Sequence, residues 1–140
     1  HGLAVANDNS PQQVVLSGAR HALPAAAEAA KELGLRAMDL PVTGAFHSPM
    51  MASAVPEFEA ALADTQVSGA RVIVISAVTA EPFDDVRKRL TEALTSPVRW
   101  RETMLALHRL GAERFVEVGP GRVLTGLAKR TLRDVELVHA

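Results

Sequence analysis

The sequence predicts an α/β fold, on three observations. From about residue 45 onward, helical stretches alternate with short strand-like runs, an order that implies crossovers and a mainly parallel sheet. Val72-Ile73-Val74-Ile75 is continuously β-branched, as in a parallel strand covered by helices on both faces. The first 44 residues differ, reading strand, strand, helix, strand, which suits a small α+β unit.

Each element has a local reason. Leu3 to Ala6 is a short apolar run closed by Asn7-Asp8-Asn9-Ser10-Pro11, a dense turn signal, and Val14-Val15-Leu16 follows as a second strand. Leu23, Ala26, Ala27, Ala30 and Leu33 recur at helical spacing, with Gly34 where a C-cap glycine belongs. Leu35 to Val42 alternates loosely and predicts another strand. Met51, Ala54, Val55, Phe58 and Leu62 share one helix face, with Pro56 in the first turn. Val86, Leu90, Ala93 and Leu94 predict a third helix, stopped by Ser96-Pro97. Trp100 to Leu110 predicts a fourth, ended by Gly111. Phe115 to Val118 reads as a strand, Val123 to Leu132 as a fifth helix and Val135 to Val138 as a last strand.

Composition bounds the function. At 140 residues the chain can bury roughly two-thirds of its unfolded surface, enough for a core. It is 48% hydrophobic and 22% charged, a globular rather than a disordered balance. A net charge of -1 provides no global field for nucleic acid or an anionic membrane. Cysteine is absent, which removes disulfides, thiolate catalysis and Cys-ligated metals and fits a reducing cytoplasm. No apolar run approaches the roughly 20 residues of a membrane span. The start has no initiator Met and no signal-peptide pattern. His1-Gly2 reads as a tag remnant or a cut point, so the chain is expected to be part of a longer product.

Of the five histidines (His1, His21, His47, His108 and His139) none pairs with another at i, i+4, which argues against a metal site. His47 stands apart. It follows a strand-like segment in Gly44-Ala45-Phe46-His47-Ser48-Pro49, immediately before a helix, where catalytic groups collect in α/β folds. The plain reading is a loop histidine that caps that helix. Gly119-Pro120-Gly121 opens a helix whose amides could receive an anion, or is simply a tight turn. Arg122, Lys129, Arg130 and Arg133 suit a solvated helix end, or the docking of an acidic partner. No Gly-x-Ser-x-Gly elbow occurs, and a histidine without an encoded nucleophile cannot complete an acyl transfer.

Four ordered motifs then carry a resemblance. They are Asn9-Ser10-Pro11 with Gln13 to Gly18, Leu40-Pro41-Val42 with Ala45 to Pro49 and Met51, Ser96 to Trp100, and Glu117 to Gly121 with Val123 to Leu127. Together they resemble the C-terminal half of the malonyl-CoA:acyl carrier protein transacylases and, less closely, the acyltransferase domains of polyketide and fatty acid synthases. The family fold implies that residues 1–44 are the later part of a ferredoxin-like small subdomain. Residues 45–140 would be the C-terminal part of an α/β-hydrolase-like large subdomain.

The resemblance also implies chemistry. A serine takes malonyl from coenzyme A and passes it to the thiol of acyl carrier protein by a ping-pong route, with no cofactor and no metal. The family's histidine falls on His47, as general base and then general acid. A backbone carbonyl orients it in the family, and the matching position here is Ala93, where the family has Gln. Asn9 matches the family's active-site Asn. Phe46 matches the malonyl-type Ala-Phe-His pattern, where methylmalonyl-type domains carry Ala-Ser-His. The alternative for Phe46 is core packing. Trp100 and the Gly-Pro-Gly turn are read as structural. The serine, its oxyanion donors and the malonyl-pairing arginine belong upstream and map onto no residue here. The implied partners are malonyl-CoA, acyl carrier protein and the N-terminal half of the same enzyme. A second reading is a non-catalytic module that binds carrier protein or forms homo-oligomers through the edge left by the absent strand and helix. A third is an unrelated α/β domain in which His47 only caps a helix.

Overall fold

A computed structural model describes residues 2–140 and has a mixed α/β architecture. The reading of His1 as a tag remnant lies outside the described residues. The chain opens with β1 (Leu3–Ser10) and β2 (Gln13–Gly18), paired antiparallel, followed by α1 (Leu23–Glu32). A 3₁₀ turn over Pro49–Ala54 leads into α2 (Val55–Ala63). The two-residue strands β3 (Ile75–Ser76) and β4 (Glu81–Pro82) precede α3 (Val86–Ala93) and α4 (Trp100–Arg109). β5 (Arg114–Glu117), α5 (Val123–Thr131) and β6 (Glu136–His139) close the chain as a β-α-β unit whose strands are parallel.

The hairpin extends through the polar run that suggested a turn. The actual turn is Pro11-Gln12, and register shifts at Val5/Asn7 and Asp8/Ser10 let the strand continue past it. Asn9 is therefore a strand residue. Helix ends follow the glycines. After α1, Gly34 adopts φ +71, its amide bonds Lys31 and that of Leu35 bonds Ala30, the paired contacts of a Schellman stop. Gly111 repeats the arrangement after α4 through His108 and Leu107.

Two strand predictions are overturned. Residues 35–43 form no strand, and Leu35, Met38, Leu40 and Val42 stand exposed. Of the Val72–Ile75 run only Ile75 joins a ladder, and that ladder is antiparallel; Val72 and Ile73 are 73% and 65% exposed. Nor is there one mainly parallel sheet. The described residues form three two-stranded pairs, of which only β5–β6 is parallel. A strand exists only beside another strand; 35–43 has no described segment alongside, and beyond the bond from the Phe83 amide to the Val74 carbonyl neither have Val72 and Ile73.

The core gathers at the other end. Met104, Ala128 and Leu132 are buried, with Trp100, Leu107, Phe115, Val135 and Leu137 packed around them. β1 rests on α4 and α5 beside this cluster. No helix of the described residues is long and apolar enough to cross a membrane.

Candidate active site

His47 owes its position to the residue after it. The Ser48 side chain is fully buried. Its hydroxyl donates to the Ala45 carbonyl at 2.6 Å and accepts the Met50 amide at 3.3 Å, capping the 3₁₀ turn that Pro49 begins. The tight turn leaves His47 at φ +57, in the left-handed region. A strained backbone of this kind in a non-glycine residue costs about 1–3 kcal/mol and collects at functional sites.

The imidazole is half-buried, and its Nδ1 donates to the carbonyl of Ala93 at 2.7 Å. A carbonyl only accepts, so Nδ1 carries a proton, and in the neutral ring the lone pair lies on Nε2. That carbonyl is available because α3 ends there. In a continuing helix it would take the amide of residue 97, which is Pro97 and has none. Ser96, as the residue before a proline, is biased away from the helical region. The last turn instead closes through Leu94 to Thr91 and Thr95 to Glu92, leaving Ala93 to the histidine.

Beside the ring is a cavity of about 180 Å³, lined by Ser76, Phe83, Leu90, Pro97 and Val98 among others. Arg89 is the one charged side chain lining it. Its guanidinium meets the Asp84 carboxylate through Nε at 2.8 Å and Nη2 at 2.6 Å, and Glu92 through Nη1 at 2.7 Å. The hydrogen bond from Arg89, then the Asp85 amide, hold the Asp84 carboxyl far below the usual carboxylate range; Asp84 in turn raises Arg89.

The Ser96-Pro97-Val98-Arg99-Trp100 stretch joins this site to the hairpin. Val98 donates its amide to Ala6 at 2.8 Å and accepts that of Asp8 at 2.9 Å, a parallel bridge beside β1. The Arg99 amide reaches the Ala77 carbonyl and its guanidinium the Thr79 carbonyl, both at 2.8 Å. Arg99 also pairs with Glu102, whose carboxyl that bond pulls down. Arg101 grips Asp8 of β1 with two nitrogens, the shorter contact being 2.7 Å. Trp100 packs against the core cluster.

The other predicted residues lie apart from the cavity. Asn9, near the end of β1, donates its side-chain amide to Gln13 at 3.5 Å. Phe46 is 46% exposed, and its ring lies over Gly44 so closely that a Cβ there would fall 2.8 Å from it. Neither lines the cavity beside His47.

The Gly119-Pro120-Gly121 turn is corrected as an anion site. Glu117 from β5 already accepts the amides of Leu124 at 3.0 Å and Thr125 at 2.7 Å, the first turn of α5, together with the Thr125 hydroxyl. The Thr125 bonds hold its carboxyl below the ordinary glutamate range. His139 Nε2 donates to the Gly119 carbonyl at 2.9 Å, tying the turn to β6. Lys129 and Arg130 sit exposed in the last turn of α5.

Sequence reasoning missed Ser48, Arg89 and the Asp8–Arg101 pair. Ser-Pro ahead of a helix is a capping signal that could have found the first. Arg89 and Glu92 stand at helical spacing. Asp8 and Arg101 are 93 residues apart and carry no local signal.

A half-buried imidazole fixed in one tautomer, with a free nitrogen beside a cavity of an α/β scaffold, is equipped to take up and return a proton. The chain belongs to the acyl transferase domain family, whose pattern matches residues 1–140. Among its relatives, the malonyl CoA-acyl carrier protein transacylase of Synechocystis is 44% identical over 138 residues, covering 96% of this chain and 46% of that protein. The fold matches the crystal structure of the Clostridium perfringens transacylase with a TM-score of 0.95 at 33% identity, covering 99% of this chain and 45% of that one. It also matches a type II PKS malonyl-transacylase solved with its acyl-carrier protein, with a TM-score of 0.94 at 32% identity, covering 99% and 46%. The chain thus spans about half the length of the relatives it matches.

Proposed function

We propose that this chain supplies the C-terminal part of a cytoplasmic malonyltransferase. That enzyme moves malonyl from coenzyme A to acyl carrier protein by Ser-His ping-pong transfer, for fatty acid or polyketide synthesis. The observation that carries the reading is the Nδ1 contact of His47 with the Ala93 carbonyl at 2.7 Å, which leaves Nε2 to act. In the forward half-reaction Nε2 takes the proton of the serine hydroxyl as its oxygen attacks the thioester carbonyl. It returns that proton to the sulfur of coenzyme A as the carbon–sulfur bond breaks. The imidazolium between the two steps keeps its second proton against Ala93. The same steps in reverse order load the carrier-protein thiol.

In this reading the serine, the oxyanion donors and the arginine for the malonyl carboxylate come from the N-terminal half, and no cofactor or metal takes part. Asn9 and Phe46 face substrate once that half is in place. Residues 1–44 then complete a ferredoxin-like subdomain and residues 45–140 an α/β-hydrolase-like one. The test replaces His47 in the full-length protein. Because φ is positive there, His47→Asn is the cleaner variant, since Asn tolerates that backbone. It should lower malonyl transfer by about 10²–10⁴-fold with the fold intact by circular dichroism. An undiminished rate would end the acid–base assignment. The 140-residue chain alone should transfer no malonyl.

A second reading draws on the exposed run Val72 to Val74. A non-catalytic module would cover this apolar run with a second copy. A stable homodimer of the chain by light scattering, without coenzyme A binding, would favour it.

A further inference from the structure

The carbonyl that orients His47 sits at the end of an unusually dependent helix. α3 spans eight residues, little more than two turns, and none of its residues is buried. A helix this short is unstable by itself, and packing of an apolar face normally holds it. Here polar contacts take that role. Asp85 caps the first turn by accepting the Lys88 amide at 3.0 Å. Arg87 reaches from α3 to the carbonyls of Leu62 and Thr65 at the end of α2. Arg89, one turn before Ala93, draws Asp84, ahead of the helix, and Glu92, in its last turn, onto one guanidinium. Its side chain is 19% exposed and lines the cavity shared with His47 and Ala93.

We propose that Arg89 is a positioning residue for His47, acting through the Asp84–Arg89–Glu92 clamp that keeps the last turn of α3, and so the Ala93 carbonyl, in place. The proposal rests on the acid–base reading of His47 for its kinetic consequence but not for its structural one. Loss of the clamp frees the end of α3 to fray, and Nδ1 loses its fixed acceptor. The neutral ring then redistributes between its two tautomers, and the form with Nε2 free becomes less populated. Lysine, with one compact charge, cannot span both carboxylates as the guanidinium does.

The experiment uses the full-length protein with ¹⁵N-labelled histidine. In Arg89→Met the His47 signals should move from the pure Nδ1–H pattern toward a tautomer mixture, and amide exchange should quicken in residues 86–95. The kcat of malonyl transfer should fall by about tenfold with KM for malonyl-CoA unchanged. Arg89→Lys should recover part of the loss, and Lys88→Ala, whose side chain makes no bond to the clamp, should match the parent. If Arg89→Met does not fold, the double variant Asp84→Asn with Glu92→Gln opens the same clamp from its other side and should give the same signature. An unchanged tautomer signal in whichever variant folds would overturn the proposal, even if the rate falls. If His47→Asn leaves transfer intact, the acid–base reading fails, and the tautomer arm still decides the role of Arg89.

Discussion

Two regions of this molecule are built from the same kinds of residue and end in opposite surroundings. Around α4 and α5, Met104, Ala128 and Leu132 are buried and ringed by Trp100, Phe115 and Leu137. In the segments 35–43 and 72–74, Leu35, Leu40, Val42, Val72 and Ile73 are just as apolar and stand in the open. The difference is connectivity. The β5-α5-β6 unit and the helix before it bring their own neighbours within some forty residues, so they close on themselves. Residues 35–43 and Val72 and Ile73 have no described strand beside them. Apolar sequence says that a surface is to be covered; it does not say by what.

The sharpest division is expected from paired truncations. Met104→Ala should cost about 2–5 kcal/mol in denaturant unfolding, both in the 140-residue chain and in the full-length protein. Ile73→Ala should cost a comparable amount only in the full-length protein and stay within about 0.5 kcal/mol in the chain alone. Equal costs for Ile73→Ala in the two settings would break the comparison, since the rest of the protein would then not be what covers it.

A smaller effect is expected within the self-contained region, at the α5 cap. Glu117→Gln should lower the unfolding midpoint at neutral pH. The folded carboxyl lies below its ordinary value, so its stabilisation is complete above the ordinary glutamate range and is lost as pH falls through the folded value. The gap between variant and parent should therefore narrow in acid. A gap that stays constant with pH would mean that charge at Glu117 contributes nothing to the cap.

The same contrast explains what was legible in the sequence. The five α-helices of the described residues lie where periodicity puts them, because a helix satisfies its own backbone and its stop signals are local, as at Gly34 and Gly111. Strands were legible only where the partner is near: the β1–β2 hairpin, and β5 with β6 across one helix. Leu35 to Val42 and most of Val72 to Ile75 have strand composition but join no described ladder, and composition alone misled. At the site, His47 was visible from its place between a strand-like segment and a helix, and the match of Ala93 to the orienting carbonyl came through family resemblance. Ser48 was readable as a cap and was overlooked. Arg89 was readable in part from its i, i+3 spacing to Glu92, whereas the Asp8–Arg101 tie depends on tertiary placement, which no spacing rule encodes.

The acceptor that holds His47 belongs to the main chain, and this changes what heredity can do to it. A point mutation at position 93 exchanges a methyl group for some other side chain and leaves the carbonyl where it was. The position can drift without touching the contact, and an alanine scan passes over it in silence because it is already alanine. Pro97 carries the constraint instead, since a residue with an amide there could compete for the same oxygen. To weaken the bond itself one must edit the backbone, replacing Leu94 by its α-hydroxy acid so that the Ala93 carbonyl becomes that of an ester, a poorer acceptor, at the cost of the Leu94 amide that bonds Thr91.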